Sequence, residues 1–287
     1  MLNTYLGADK FAVGVKSYLK KHAFGNAKTT DLFNALMESS GKDVASMMHT
    51  WTKSVGYPMV TVTSEKFDES SRTLTLQVAQ QRFLSSGGLE AADDLVLWYI
   101  PIEVITHLNP KSPIQVLLNT KTGTITLPFT EEAGSYYKLN FETTGFYRVC
   151  YPAKNLQRLG SIIQNEIGAL SSQDKIGILA DAFAFAKAGY LNTSSALELV
   201  NHFVNEEDYF VLDEVASCLK RVSNAWYMEP KVLAGINRLN LRIFARKVKV
   251  LGYDYSETEP FLVSLKRTLL ISQSANSGDQ RFFVGFM

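Results

Sequence analysis

The chain has 287 residues, 46% hydrophobic and 20% charged, an ordinary globular balance in a length that suits two or three domains better than one core. Twenty-nine basic side chains against twenty-eight acidic ones leave a net charge of +1, so no overall field favours nucleic acid or anionic lipid as a partner. No run of about eighteen apolar residues offers a membrane span, and the first residues lack the basic stretch, apolar run and small-residue site of a secretory signal. The two cysteines, Cys150 and Cys218, fall in different predicted domains, which argues against a disulfide framework and for a reducing, cytoplasmic compartment. A single glycosylation sequon, Asn192, Thr193, Ser194, points weakly the other way.

Residues 1–57 read as helices. Phe11, Val15, Tyr18, Leu19 and His22 recur on one helical face, and Gly7 before them suits a break between two helices. After a polar loop at 26–30, Thr30 is the expected cap of a helix that buries Leu32, Phe33 and Leu36, with Asp31 in its first turn. A last helix carries the stripe Val44, Met47, Met48, Trp51. Four short helices make a small core for an independent domain, so this segment is expected to be the tail of a larger body. At residues 51–62 the apolar period changes from helical to alternating: Gly56 can end the helix, Pro58 denies the next turn a donor, and Val60 and Val62 alternate with Thr61 and Thr63.

Strand signals dominate residues 58–151. Leu74, Leu76 and Val78 alternate with polar neighbours, 95–105 is rich in β-branched and aromatic residues, and 114–118 follows Asn109 and Pro110. A hairpin turn is predicted at Thr120, Lys121, Thr122, Gly123, leading into 124–127, with further strands at 136–141 and 146–151. About seven short strands in about ninety residues predict an antiparallel β-sandwich.

From 152 to 287 the helical period returns. Leu156, Leu159, Ile162, Ile163 and Ile167 mark one helix, and Ile176, Leu179, Ala180 and Phe183 the next, opened by a capping box of Ser171 and Asp174 and closed by Gly189. Helices at 195–204, 210–222, 230–251 and 259–272 complete a predicted stack of hairpins of the HEAT or armadillo kind, although no clean repeat is visible. The terminal Phe282, Phe283, Val284, Phe286 and Met287 are apolar and lack the polar cap such a stack needs.

The residues carry no constellation for catalysis. His22, His49, His107 and His202 are scattered, and none belongs to a His-Glu-x-x-His helix, in which two histidines one turn apart hold zinc. Glu198, His202 and Glu206 stand at i, i+4 and i+8, a spacing open to a metal but more often found on a solvated face. Arg238, Arg242 and Arg246, with Lys247 and Lys249, form a basic stripe that can meet a carboxylate or an acidic partner, the commoner reading again being a solvated face. Gly87 and Gly88 read as a loop tip, and Cys150 as a packed thiol.

Taken in order, several motifs resemble one family. The stretches 1–19 and 26–32, with 51–62, resemble the end of the catalytic domain in the zinc aminopeptidases related to puromycin-sensitive aminopeptidase and aminopeptidase N. Gln80, Gln81, Arg82, Phe83, Leu84 and Trp98, Tyr99, Ile100, Pro101, Ile102 resemble that family's β-sandwich domain, and Gly145, Phe146, Tyr147, Arg148, Val149, Cys150, Tyr151 the strand leaving it. Residues 171–189, with Asp174, Lys175, Asp181, Ala182 and Phe183, resemble the opening of its helical C-terminal domain. Cys150 stands where asparagine is usual and Lys175 where arginine is usual.

The resemblance implies three parts: 1–57 as C-terminal helices of the metallopeptidase domain, 58–151 as the sandwich, and 152–287 as the first part of the helical domain. It also implies a negative. The family's exopeptidase motif, zinc helix, third zinc ligand and transition-state tyrosine all precede the position matching Met1, so no catalytic or metal residue carries over, and zinc and peptide substrates belong to the parent enzyme. The expectation is a fragment of a zinc aminopeptidase, inactive alone, whose helices wall the substrate chamber. The alternatives are a non-catalytic binding or scaffold module, and self-association through the apolar ends.

Overall fold

The computed structural model describes residues 1–89, 94–166 and 168–279. It forms two compact units, Met1–Asn155 and one beginning at Leu156.

The first unit opens with four helices, α1 Leu2–Leu6, α2 Ala8–Lys21, α3 Thr29–Ser40 and α4 Val44–Lys53. Gly7, at φ +87°, makes the break between α1 and α2 in a region that disfavours other residues. The cap of α3 lies earlier than Thr30: Asp31 accepts the Lys28 N–H at 2.8 Å, so Thr29 and Thr30 are already helical. Leu6, Phe33, Leu36 and Val44 form a small core on which Leu2, Tyr5, Phe11 and Val15 pack. Leu19, expected on the inner face, is 61% exposed. This layer is tied to the segment that follows it: the Trp51 indole donates to Tyr99 O, just ahead of the third strand, at 2.9 Å, and the Lys42 ammonium donates to Gln115 Oε1 at 3.1 Å.

Seven strands come next: β1 Pro58–Asp68, β2 Thr73–Arg82, β3 Ile100–Thr106, β4 Ile114–Leu118, β5 Thr122–Pro128, β6 Tyr137–Leu139 and β7 Arg148–Cys150. They form two small sheets, one ordered β5, β2, β1, β7 and one ordered β4, β3, β6. In β2 the expected alternation holds, with Leu74, Leu76, Val78 and Gln80 buried, whereas β3 is buried throughout and is therefore covered on both faces.

Three expectations are corrected here. The four-stranded sheet is mixed, not antiparallel, because β7 pairs parallel with β1 through Met59 and Arg148, Val60 and Val149, and Thr61 and Cys150. Between β1 and β7 the chain visits the other sheet, so β7 returns beside β1 without a hairpin to reverse it. The turn near Thr120 likewise closes no hairpin, since β4 pairs with β3 and β5 with β2. Finally, 95–99 is not strand. The Gln80 side chain satisfies the backbone of the buried Trp98 instead, its Oε1 accepting the Trp98 main-chain N–H at 2.9 Å and its Nε2 donating to Trp98 O at 2.8 Å and to Thr120 O at 3.0 Å.

Helix α5, Ala153–Asn165, leads out of the first unit, where the Asn155 amide donates to Tyr137 O at 3.0 Å. In the second unit come α6 Ser172–Ala188, α7 Thr193–Asn201 with a 3-10 turn His202–Asn205, α8 Tyr209–Ala225, α9 Pro230–Asn240, a π-helical segment Leu241–Ala245, α10 Arg246–Leu251 and α11 Phe261–Asn276. The capping box of α6 forms between Ser171 and Asp174, and Gly189 closes the helix at φ +80°. Ile167 and the terminal 282–287, on which expectations were placed, lie outside the described residues.

Candidate functional site

Several of the charged residues singled out in the sequence fall into two arrangements of the second unit. The first is the loop after the 3-10 turn. Glu206 is buried, not solvated: its Oε2 lies 2.7 Å from the Lys175 ammonium, and its Oε1 accepts the N–H groups of Glu207 at 2.9 Å and Asp208 at 2.8 Å. Asp208 caps α8, accepting from Phe210 N at 2.8 Å and Val211 N at 3.2 Å, while the Ser172 hydroxyl at the head of α6 donates to its other oxygen at 2.9 Å. Lys247 of α10 donates to Val204 O at 2.6 Å, and Lys266 of α11 donates to Glu207 O at 2.7 Å and pairs with its carboxylate. Three lysines from three helices thus fix one acidic loop. Burial holds the Lys247 ammonium below its ordinary pKa, with Glu207 opposing the shift.

His202 turns away from this loop. Its Nδ1 lies 2.9 Å from Gln164 Oε1 on α5, and its ring covers Gly160, where a Cβ would come within 2.4 Å of Cδ2. Burial lowers its pKa, which Glu198 raises and Arg242 lowers further. Glu198, His202 and Glu206 therefore do not converge, because the 3-10 turn tightens the chain after Asn201 and sends Glu206 to Lys175. Among the described residues no group of three or more His, Cys, Asp and Glu side chains has the arrangement to hold a metal. The resemblance places zinc in the parent enzyme, and none of the described residues is arranged to hold it.

The second arrangement is a cleft of about 480 Å³ between α7 and α9. Leu197, Ile236 and Leu239 supply its apolar lining, and Glu198, Arg238 and Arg242 its charges. Arg238 and Arg242 stand one turn apart and are both exposed, and Arg242 Nη1 donates to Asn201 Oδ1 at 3.2 Å. The expected five-residue basic face breaks up here. The wider turn of the π segment rotates α10 relative to α9, so Arg246 is exposed but does not line the cleft, and Lys247 points inward.

The other candidates are structural. Gly87 and Gly88, both at φ +70°, form a loop tip. Cys218 is buried in α8 between Glu214 and Arg221, and burial pushes its thiol far above the ordinary value, leaving it inert. Cys150 is half-buried in β7.

Three of the motif stretches of the first unit meet at one point. The Tyr57 ring lies 5.6 Å from Phe83 and 5.4 Å from Phe146, and Arg148 Nε donates to its hydroxyl at 3.2 Å. Residues 51–62, 80–84 and 145–151 are thus one spatial cluster.

Comparison with known sequences agrees with this ordering. A family profile described as the peptidase family M1 domain matches residues 1–51, and one described as the ERAP1-like C-terminal domain matches residues 136–283. The chain belongs to the M1 aminopeptidase family. Aminopeptidase 2 of Candida albicans is 32% identical over 97% of this chain and 29% of its own length. Alanine/arginine aminopeptidase of Saccharomyces cerevisiae is 30% identical over 98% and 31%, and aminopeptidase M1-B of Oryza sativa subsp. japonica 34% identical over 99% and 33%. The chain spans about a third of the length of the M1 relatives it matches. Lys175, which stands where the family resemblance leads one to expect arginine, keeps a cation against Glu206. The partner was not legible in the sequence, since 31 residues separate the two.

Proposed function

We propose that this chain is a C-terminal part of a zinc-dependent M1 aminopeptidase, supplying non-catalytic parts of an enzyme that removes N-terminal residues from peptides, and that it is inactive alone. The observation that carries the reading is the order of the two family matches, the M1 domain at 1–51 and the ERAP1-like domain at 136–283, in a chain without His-Glu-x-x-His. In this reading 1–57 is the last helical layer of the metallopeptidase domain, 58–151 a β-sandwich and 152–287 the first part of a HEAT-like or armadillo-like helical domain that walls the substrate chamber. Side chains that join the two sheets support the sandwich: Tyr137 of β6 donates to Glu65 of β1 at 2.5 Å, and Gln80 of β2 reaches Leu118 O of β4 at 3.4 Å. The packing of α6 on α7 and α8, and of α8 on α9, supports the helical stack.

Peptides enter as substrates of the whole enzyme. A cytoplasmic setting accords with two free thiols, Cys150 and Cys218, and no helix among the described residues is long and apolar enough to cross a membrane. Self-association of the isolated chain would draw on exposed apolar side chains such as Tyr227, Met228 and Phe261.

A replacement experiment tests the chamber role. The matching part of Candida albicans aminopeptidase 2 is exchanged for this chain, and the folded chimaera is expected to hydrolyse an aminoacyl amide. A folded, zinc-loaded chimaera without turnover contradicts the reading.

A further inference from the structure

We propose that the cleft between α7 and α9 binds a small amphipathic carboxylate, a free acid with an apolar body such as a medium-chain fatty acid, its head held by Arg238 and Arg242. The volume of about 480 Å³ lies in the range of small-ligand sites, and Leu197, Ile236 and Leu239 give an apolar lining. The charge around the cleft is unbalanced: two guanidinium groups stand against one carboxylate, Glu198. Arg238 has no ion-pair partner among the described residues, and Arg242 bonds only the neutral amide of Asn201. A carboxylate supplies the missing charge and matches the fork of a guanidinium, whereas an amine is repelled and an alcohol leaves the arginines in water.

Gly235 is the second observation. Glycine is unfavourable inside a helix, yet it occupies the middle of α9 on the wall of the cleft. A Cβ there would find Arg238 Nη2 at 3.9 Å as its nearest neighbour, so no packing against another element requires a glycine. Its effect is to leave the wall open beside the arginine. The π segment that begins at Leu241 places Arg242 on the same side. The inference is independent of the aminopeptidase reading, because it uses only the second unit's own side chains.

The test is an NMR titration of the full chain with octanoate, octylamine and octanol. Octanoate is expected to shift amides of α7 and α9 saturably, octanol to bind about tenfold more weakly, and octylamine not to bind. The exposed double variant Arg238→Ala/Arg242→Ala should weaken octanoate about tenfold and leave octanol unchanged. Gly235→Leu, which fills the cleft with a good helix former, should remove both. Equal binding of octanoate and octylamine, octanoate binding unchanged in the arginine variant, or no saturable shift up to the micelle limit overturns the proposal. So does tighter binding of the peptide acetyl-Leu-Glu-Leu-amide, which would make the occupant a protein segment.

Discussion

The imidazole of His202 lies flat enough on Gly160 that a single added carbon would stand 2.4 Å from its Cδ2. The two residues are the meeting point of α5 with the 3-10 turn after α7, and the ring is held there by Gln164 at 2.9 Å. Gly160→Ala should therefore cost about 1–3 kcal/mol by overpacking, measured by urea unfolding. Adding His202→Ala should remove much of that loss, so the double variant is expected to be more stable than the sum of the two singles. Strict additivity would show that the ring yields freely.

Acid should loosen the same junction. Burial lowers the His202 pKa from the ordinary 6.5, with Glu198 pulling it up and Arg242 pushing it down. The unfolded chain then takes up the proton more readily than the fold does. Stability is expected to fall as pH drops through about 6.5, and the penalty to be complete once pH is below the folded-state value. His202→Gln should flatten the unfolding free energy over that window; an unchanged pH profile would place the acid sensitivity elsewhere.

The Lys175 and Glu206 pair gives a prediction of sign as well as size. With side chains 11% and 6% exposed, each needs the other. Lys175→Met should cost about 3–5 kcal/mol by leaving Glu206 buried and unpaired. Lys175→Arg, the residue that the family resemblance leads one to expect at this position, should be tolerated within about 1 kcal/mol because the cation is kept. Equal losses in the two variants would mean that shape rather than charge decides the site.

The start of α6 offers a smaller effect. Ser171 Oγ accepts the Asp174 N–H at 3.1 Å, so Ser171→Ala should cost about 1 kcal/mol in thermal or urea unfolding. No measurable loss would show that Asp174 alone suffices at that helix start.

Local signals were the legible part of this fold. The four opening helices, the capping box at Ser171 and Asp174, the stop at Gly189 and the alternation of Leu74, Leu76 and Val78 each depend on residues close together in the chain. What stayed hidden depends on distant partners. Nothing near Cys150 tells that its strand will run parallel to β1, and residues 95–99 have strand composition without strand structure because the Gln80 side chain takes the place of a ladder. Glu206 looked solvated because Lys175, Lys247 and Lys266 reach its loop from three separate helices. The break in the arginine face came from the π segment, whose extra residue per turn has no marker in the 230–251 pattern. The cleft was half visible: Arg238 and Arg242 were legible as a pair, but not the opening at Gly235 beside them.

The most direct test of the account is a metal and activity assay on the purified chain. After incubation with zinc and desalting, elemental analysis is expected to find far less than one zinc per chain, with no turnover of an aminoacyl amide. One tightly held zinc per chain together with steady release of free amino acid would contradict it.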